Sequence, residues 1–68
     1  MKQIEKTILV RMYVCQIQGK PPLESIKEKT AITSKQIDET IDELIKNQLV
    51  NNDRTTLTEI GRNALRVV

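Results

Sequence analysis

The sequence predicts a mainly α-helical domain with a small β-hairpin: a three-helix core, a two-stranded wing-like hairpin and a C-terminal helix. Residues 3–18 contain no helix-breaking residue, which favours a first helix. Residues 23–47 repeat apolar side chains at helical spacing on both sides of one short turn. Residues 48–57 contain two β-prone runs around polar residues that favour turns. A chain of 68 residues has room for one domain, which we take as residues 1–68.

The first helix is predicted at residues 3–18 and ends at Gly19, a residue type that commonly follows a helix. At about 100° per residue, its apolar side chains fall on two separate stripes. The first stripe consists of Ile4, Ile8, Met12 and Cys15. The second stripe consists of Val10, Tyr13, Val14 and Ile17. One stripe is enough to face a small core, so the second stripe needs another covering surface.

The second stripe leads us to expect a homodimer. We expect a two-fold interface formed by the first helix and the C-terminal helix, because little protein remains to cover the stripe in a monomer. The predicted interface residues are Val10, Tyr13, Val14, Ile17, Val67 and Val68. The alternative is a monomer in which the C-terminal helix packs across the second stripe.

The second and third helices are predicted on either side of a turn at residues 31–33. The second helix begins at about residue 23, because two consecutive prolines precede it. The third helix begins with a capping box, in which the side chains of Thr33 and Gln36 each bond the other residue's backbone N–H, and it runs to about residue 47. Its apolar face consists of Ile37, Ile41, Leu44 and Ile45. Its charged face consists of Lys35, Glu39, Asp42 and Lys46.

The chain after the third helix predicts a hairpin at residues 48–57 and a closing helix at residues 59–68. Two short runs, 48–50 and 55–57, carry strand-forming side chains. The Asn and Asp residues between them tolerate the left-handed conformations of a hairpin turn. Thr58 stands where it can cap the closing helix.

Two consecutive segments resemble a known family of DNA-binding domains. IKEKTAITSKQIDETIDELIKNQLV and NNDRTTLTEIGRNAL are similar to the helix-turn-helix and the wing of winged helix-turn-helix proteins. The resemblance implies that the hairpin is a wing and that the Leu-Thr-x-x-Gly-Arg sequence begins the closing helix. It also implies sequence-specific binding of double-stranded DNA by a transcriptional regulator, most simply a repressor. A three-helix bundle with a frayed tail is the alternative architecture.

The resemblance also implies which residues would contact DNA. In this family the second helix of the helix-turn-helix enters the major groove with its N-terminal residues nearest the bases. The matching positions are Thr33, Ser34, Lys35, Gln36 and Glu39, with Arg54 at the tip of the wing. Ser34 and Lys35 suit phosphate, and Gln36 suits adenine.

Four carboxylates on the third helix oppose an approach to DNA: Asp38, Glu39, Asp42 and Glu43. We expect Lys35 to pair with Glu39, and Lys46 with Asp42, because each pair is four residues apart on one helix. The alternative function is a protein-interaction or assembly module that uses this acidic helix, since a fold alone does not decide function.

The composition makes several other classes of protein improbable. Cys15 is the only cysteine and histidine is absent, so we expect no metal site, no cofactor and no catalysis. The position of Cys15 on the first stripe indicates a buried structural thiol. No apolar run approaches the roughly 20 residues needed to span a membrane. The single cysteine and the absence of a signal peptide favour the cytoplasm.

Overall fold

The structure, a computed structural model, describes residues 2–66 and contains four α-helices in that range. The helices are α1 (Gln3–Gln18), α2 (Pro22–Lys29), α3 (Ser34–Lys46) and α4 (Glu59–Arg66). Helix α2 begins one residue earlier than predicted, because proline lacks the N–H that the first position of a helix leaves unpaired. Val67 and Val68, two predicted interface residues, lie outside the described residues.

The two-stranded wing predicted for residues 48–57 is wrong, and with it the winged-helix fold class. Within residues 2–66 there is no sheet, and a single antiparallel bridge joins Val50 to Leu57. Hydrogen bonds to side chains replace the ladder that two strands would form. The Asp53 carboxylate accepts from the backbone N–H groups of Thr55 and Thr56 at 3.0 and 3.1 Å. The segment is therefore a compact polar turn between α3 and α4.

The core is aliphatic and receives side chains from three helices and from the turn segment. Its buried members are Ile8, Leu9, Met12, Ile26, Ile37, Ile41, Leu44, Val50 and Leu57. Burial of each such side chain stabilises the fold by about 1.5–3 kcal/mol. The first stripe of α1 is confirmed as the core face, with Ile8, Met12 and Cys15 buried and Ile4 half-buried. The predicted core face of α3 is confirmed in the same way.

The predicted helix ends are confirmed at three places. Gly19 follows α1 in the left-handed conformation, with φ 69°. The Gln36 N–H donates to Thr33 Oγ1 at 3.2 Å, and the Thr33 N–H donates to Gln36 Oε1 at 3.2 Å, which completes the capping box of α3. The Gly61 N–H donates to Thr58 Oγ1 at 3.0 Å at the start of α4. Each cap satisfies backbone groups that a helix end leaves unpaired.

Helix α4 packs its backbone directly against the segment that leaves α3. A Cβ atom added to Gly61 would lie 2.0 Å from the carbonyl oxygen of Leu49. The Thr58 N–H donates to that same oxygen at 3.1 Å. Only glycine fits this approach, so Gly61 sets how closely α4 docks.

Candidate nucleic-acid interface

The turn between α2 and α3 is fixed by hydrogen bonds and by one apolar side chain. Thr30 Oγ1 donates to the carbonyl oxygen of Ile26 at 2.6 Å and accepts from the Ile32 N–H at 3.3 Å. The side chain of Ile32 is half-buried and packs against the core. These contacts hold the turn at residues 30–33 between α2 and α3.

The first turn of α3 stands at the surface while the rest of the helix is anchored in the core. Thr33, Ser34, Lys35 and Gln36 are all exposed. One turn further along, Ile37, Thr40 and Ile41 are buried. The arrangement presents the start of a well-anchored helix to solvent, with its polar side chains outward.

Gln36 is less available for base contact than the sequence indicates. Its Oε1 accepts from the N–H of Thr33 and from Thr33 Oγ1, each at 3.2 Å. A glutamine that pairs with adenine uses both its oxygen and its amide N–H group. The predicted capping role and the predicted adenine contact therefore compete for the same oxygen.

Arg54 lies across α3 instead of projecting from a wing tip. Its Nη1 donates to the Asp42 carboxylate, and its Nη2 donates to the Asp38 backbone carbonyl at 3.3 Å. A longer contact of 3.5 Å joins Nη2 to the Asp38 carboxylate. The pKa of Arg54 is raised above its ordinary value, mainly by the hydrogen bond to Asp42. The guanidinium thus bridges two acids on the outer side of the helix.

The charge pairs predicted within α3 are not the ones that form. Among residues 2–66 the ion pairs are those of Arg54 with Asp38 and Asp42, so the predicted pairs of Lys35 and Lys46 are wrong. The planar guanidinium of Arg54 donates to Asp42 and Asp38 at the same time, a geometry that the ammonium group of a lysine does not offer. Both lysines are exposed.

The four acids of α3 divide between the two sides of the helix. Asp38 and Asp42 face Arg54 on one side. Glu39 and Glu43 line a shallow recess of about 180 Å³ beside the start of α1 on the other side. On the helical wheel Lys35 lies between the two pairs. The outer face of α3 therefore carries Lys35 between two pairs of acids, and Arg54 bridges one of these pairs.

The turn that carries Arg54 is held by further hydrogen bonds. Asp53 Oδ2 accepts from the Thr56 hydroxyl at 2.8 Å. The pKa of Asp53 is lowered, first by the backbone hydrogen bond from Thr55. The Leu57 N–H donates to Gln16 Oε1 at 2.9 Å, which ties the turn to α1. Arg54 is therefore presented by an ordered segment.

An apolar recess of about 230 Å³ lies beside the acidic side of α3. Pro21, Pro22, Leu23 and Ile41 form its apolar lining, with Asp38, Arg54 and Thr55 beside them. The side chain of Leu23 is 37% exposed there. The sequence did not indicate this recess, because its residues come from α2, α3 and the later turn.

The second stripe of α1 is partly covered. Val10 is 40% exposed and Ile17 is 69% exposed. Tyr13 and Val14 are half-buried, and Tyr13 packs against the core. Of the four predicted interface residues on α1, two are therefore exposed and two are half-buried.

The described residues were also compared with what a membrane-spanning helix, a metal site and a paired cysteine require. No helix within residues 2–66 combines the length and apolar character needed to cross a membrane. The same range contains no cluster of three or more His, Cys, Asp or Glu side chains arranged for a metal ion. Cys15 is buried and unpaired.

Comparison of the chain with protein-family models, with curated proteins and with solved structures found no match.

Proposed function

We propose that the protein binds double-stranded DNA in a sequence-specific manner and regulates transcription, most simply as a repressor that occludes a promoter. The observation that carries the proposal is the exposed N-cap and first turn of α3, Thr33–Gln36, on a helix whose next turn is buried in the core. A helix start offers backbone N–H groups to phosphate, and its outward side chains reach base edges in the major groove.

Lys35 is the central contact in this proposal. Its side chain is exposed on the first turn and lies on the outermost ridge of α3. An ammonium group at this point can bond phosphate or guanine. Ser34 adds a hydroxyl for phosphate, and Glu39 one turn later can accept from cytosine N4. Gln36 would offer its amide N–H group while its oxygen remains in the capping box.

A homodimer is part of the proposal. Val10 and Ile17 leave apolar surface on α1 exposed to water, and pairing of two such surfaces would bury it. A two-fold arrangement would present two α3 helices to a palindromic site. Light scattering would give twice the 7.8 kDa chain mass for the dimer. The double variant Val10→Glu/Ile17→Glu would give the monomer, while Leu23→Glu, on α2, would remain dimeric.

The decisive experiment is a titration of mixed-sequence duplex DNA at several salt concentrations. We expect Lys35→Gln to weaken binding about tenfold at low salt and to lower the log–log salt slope by about one, as removal of a phosphate contact does. Lys46→Gln is the matched control, since it removes the same charge about 16 Å further along the same helix. Equal losses from both variants would indicate a general charge effect and would contradict a contact at the first turn of α3.

A protein-interaction module is the second candidate function, and the apolar recess beside Asp38 favours it. The apolar lining of the recess suits an apolar side chain of a partner, and Asp38 beside it is an acceptor that a polar or basic neighbour of that side chain can reach. A folded protein that binds no duplex at low salt would favour this candidate over DNA. We propose the cytoplasm as the compartment for either function, since the lone thiol suits a reducing environment.

A further inference from the structure

We propose that Arg54 acts as a built-in counter-ion for α3, and that it serves DNA binding through Asp38 and Asp42 instead of by touching DNA. The inference rests on the proposed function, because it concerns how an acidic helix approaches a phosphate backbone. It reverses the role that the sequence indicates for Arg54. The structural reason is that both terminal nitrogens of the guanidinium already bond acceptors on α3.

The backbone conformation of Arg54 is unusual for an arginine and supports its assignment as a counter-ion. Arg54 has φ 64°, a left-handed conformation that is unfavourable for a non-glycine residue. Asn52 and Asp53, adjacent in the sequence, are residue types that adopt this conformation more readily. The strained conformation points the arginine side chain back across α3, where it meets its two acids.

The segment that carries Arg54 is also held independently of the ion pair. Asp53 closes the turn with hydrogen bonds to Thr55 and Thr56, and Gln16 Oε1 accepts from the Leu57 N–H. Arg54 is thus pre-positioned, so the ordering cost that weakens most surface ion pairs is reduced.

The consequence for DNA binding is electrostatic. The formal charge of the cluster formed by Asp38, Asp42 and Arg54 is −1. Without Arg54 the two carboxylates alone have a formal charge of −2. One unscreened charge about 8 Å from a phosphate changes affinity roughly two- to threefold in water, and two or three phosphates lie within screening range. Arg54→Gln should therefore weaken duplex binding about five- to tenfold at low salt, and Asp42→Asn should strengthen it by a similar factor.

The test compares two double variants that conserve net charge: Arg54→Gln/Asp42→Asn and Lys35→Gln/Asp42→Asn. If Arg54 is a counter-ion, the first double variant binds duplex DNA within about twofold of the unchanged protein and with the same salt slope. The second double variant removes a direct contact, so its log–log salt slope should fall by about one, whereas its affinity at low salt stays within about twofold because the two single effects nearly cancel. Circular dichroism of each variant verifies that it is folded.

Other outcomes separate this inference from the proposed function. If the Arg54 double variant shows the same reduced salt slope as the Lys35 double variant, Arg54 touches DNA and the counter-ion role is refuted. Binding that appears only after Asp42→Asn would show that Arg54 fails to neutralise the face, and would overturn the counter-ion role alone. Absence of binding in every protein, including Asp42→Asn, would overturn both.

Discussion

Substitution of Gly61 by alanine should destabilise the protein even though alanine favours helices. The added Cβ would lie 2.0 Å from the Leu49 carbonyl oxygen, whereas real Cβ atoms essentially never come within 3.0 Å of such an atom. The α4 backbone or the Leu49 peptide must therefore move by at least the difference, 1.0 Å. Neither group can rotate away as a flexible side chain would.

Two opposing effects determine how much Gly61→Ala changes the free energy of unfolding. Overpacking of this kind costs up to about 3 kcal/mol. Replacement of glycine by alanine within a helix stabilises the helix by about 1 kcal/mol. The net loss of about 2 kcal/mol is a large share of the roughly 3–5 kcal/mol expected for a core of this size. In a domain of this length it lowers Tm by about 8–16 °C.

Thermal and urea denaturation followed by circular dichroism measure this effect. Asn63→Ala is the matched control, because Asn63 is exposed on the same helix and alanine there should stabilise the protein by about 0.5 kcal/mol. Gly19→Ala tests a different mechanism, since its φ of 69° is strained for alanine although no atom lies within 4 Å of the new Cβ. A Gly61→Ala protein as stable as the unchanged chain would refute the close approach of α4 to Leu49.

Three further variants test individual hydrogen bonds. Thr33→Ala should lower the free energy of unfolding, measured by urea denaturation, by about 1 kcal/mol, because it removes the N-cap side chain of α3. Gln16→Ala should cost about 1–3 kcal/mol, because the N–H of residue 57 loses its acceptor. The lowered pKa of Asp53 means that its contribution is complete above the ordinary value of 3.8 and is lost as pH falls through the lower folded-state pKa. Asp53→Asn should remove that part of the acid-side pH dependence in urea titrations at a series of pH values.

Matched controls for these variants lie close by in the chain. Ser34→Ala changes an exposed neighbour of the α3 cap, and Gln18→Ala removes an exposed glutamine at the end of α1. Each control should change stability by less than about 0.5 kcal/mol. A control as damaging as its partner variant would contradict the assignment of the loss to a single hydrogen bond.

The features that were predictable from the sequence are local. The capping box joins Thr33 and Gln36, three positions apart, and Gly19 ends α1 because glycine adopts the left-handed conformation readily. The core faces of α1 and α3 follow from helical periodicity alone. Each of these signals depends on neighbours within one or two helical turns, so the sequence carries it directly.

The features that sequence reasoning missed depend on distant residues. The β-prone run at residues 55–57 favoured a strand, but bonds to Asp53 and Gln16 hold it as a turn. Arg54 meets acids that lie 12 and 16 residues earlier, a spacing with no periodic signal. The predicted contact residues 33–36 are exposed at the start of α3, and their role in binding stays a prediction, while the charge pairing of α3 depends on the tertiary structure.

The hydrogen bond from the Leu57 N–H to Gln16 has a consequence for folding order. It joins residues 41 positions apart, whereas the capping bonds close within three. Contacts at such separation form late, because the intervening chain must first be ordered. Val50 and Leu57 belong to the core, so α1–α3 remain incompletely covered until this segment docks. Hydrogen exchange of the Leu57 amide therefore measures whether this segment opens by itself or only with the whole domain.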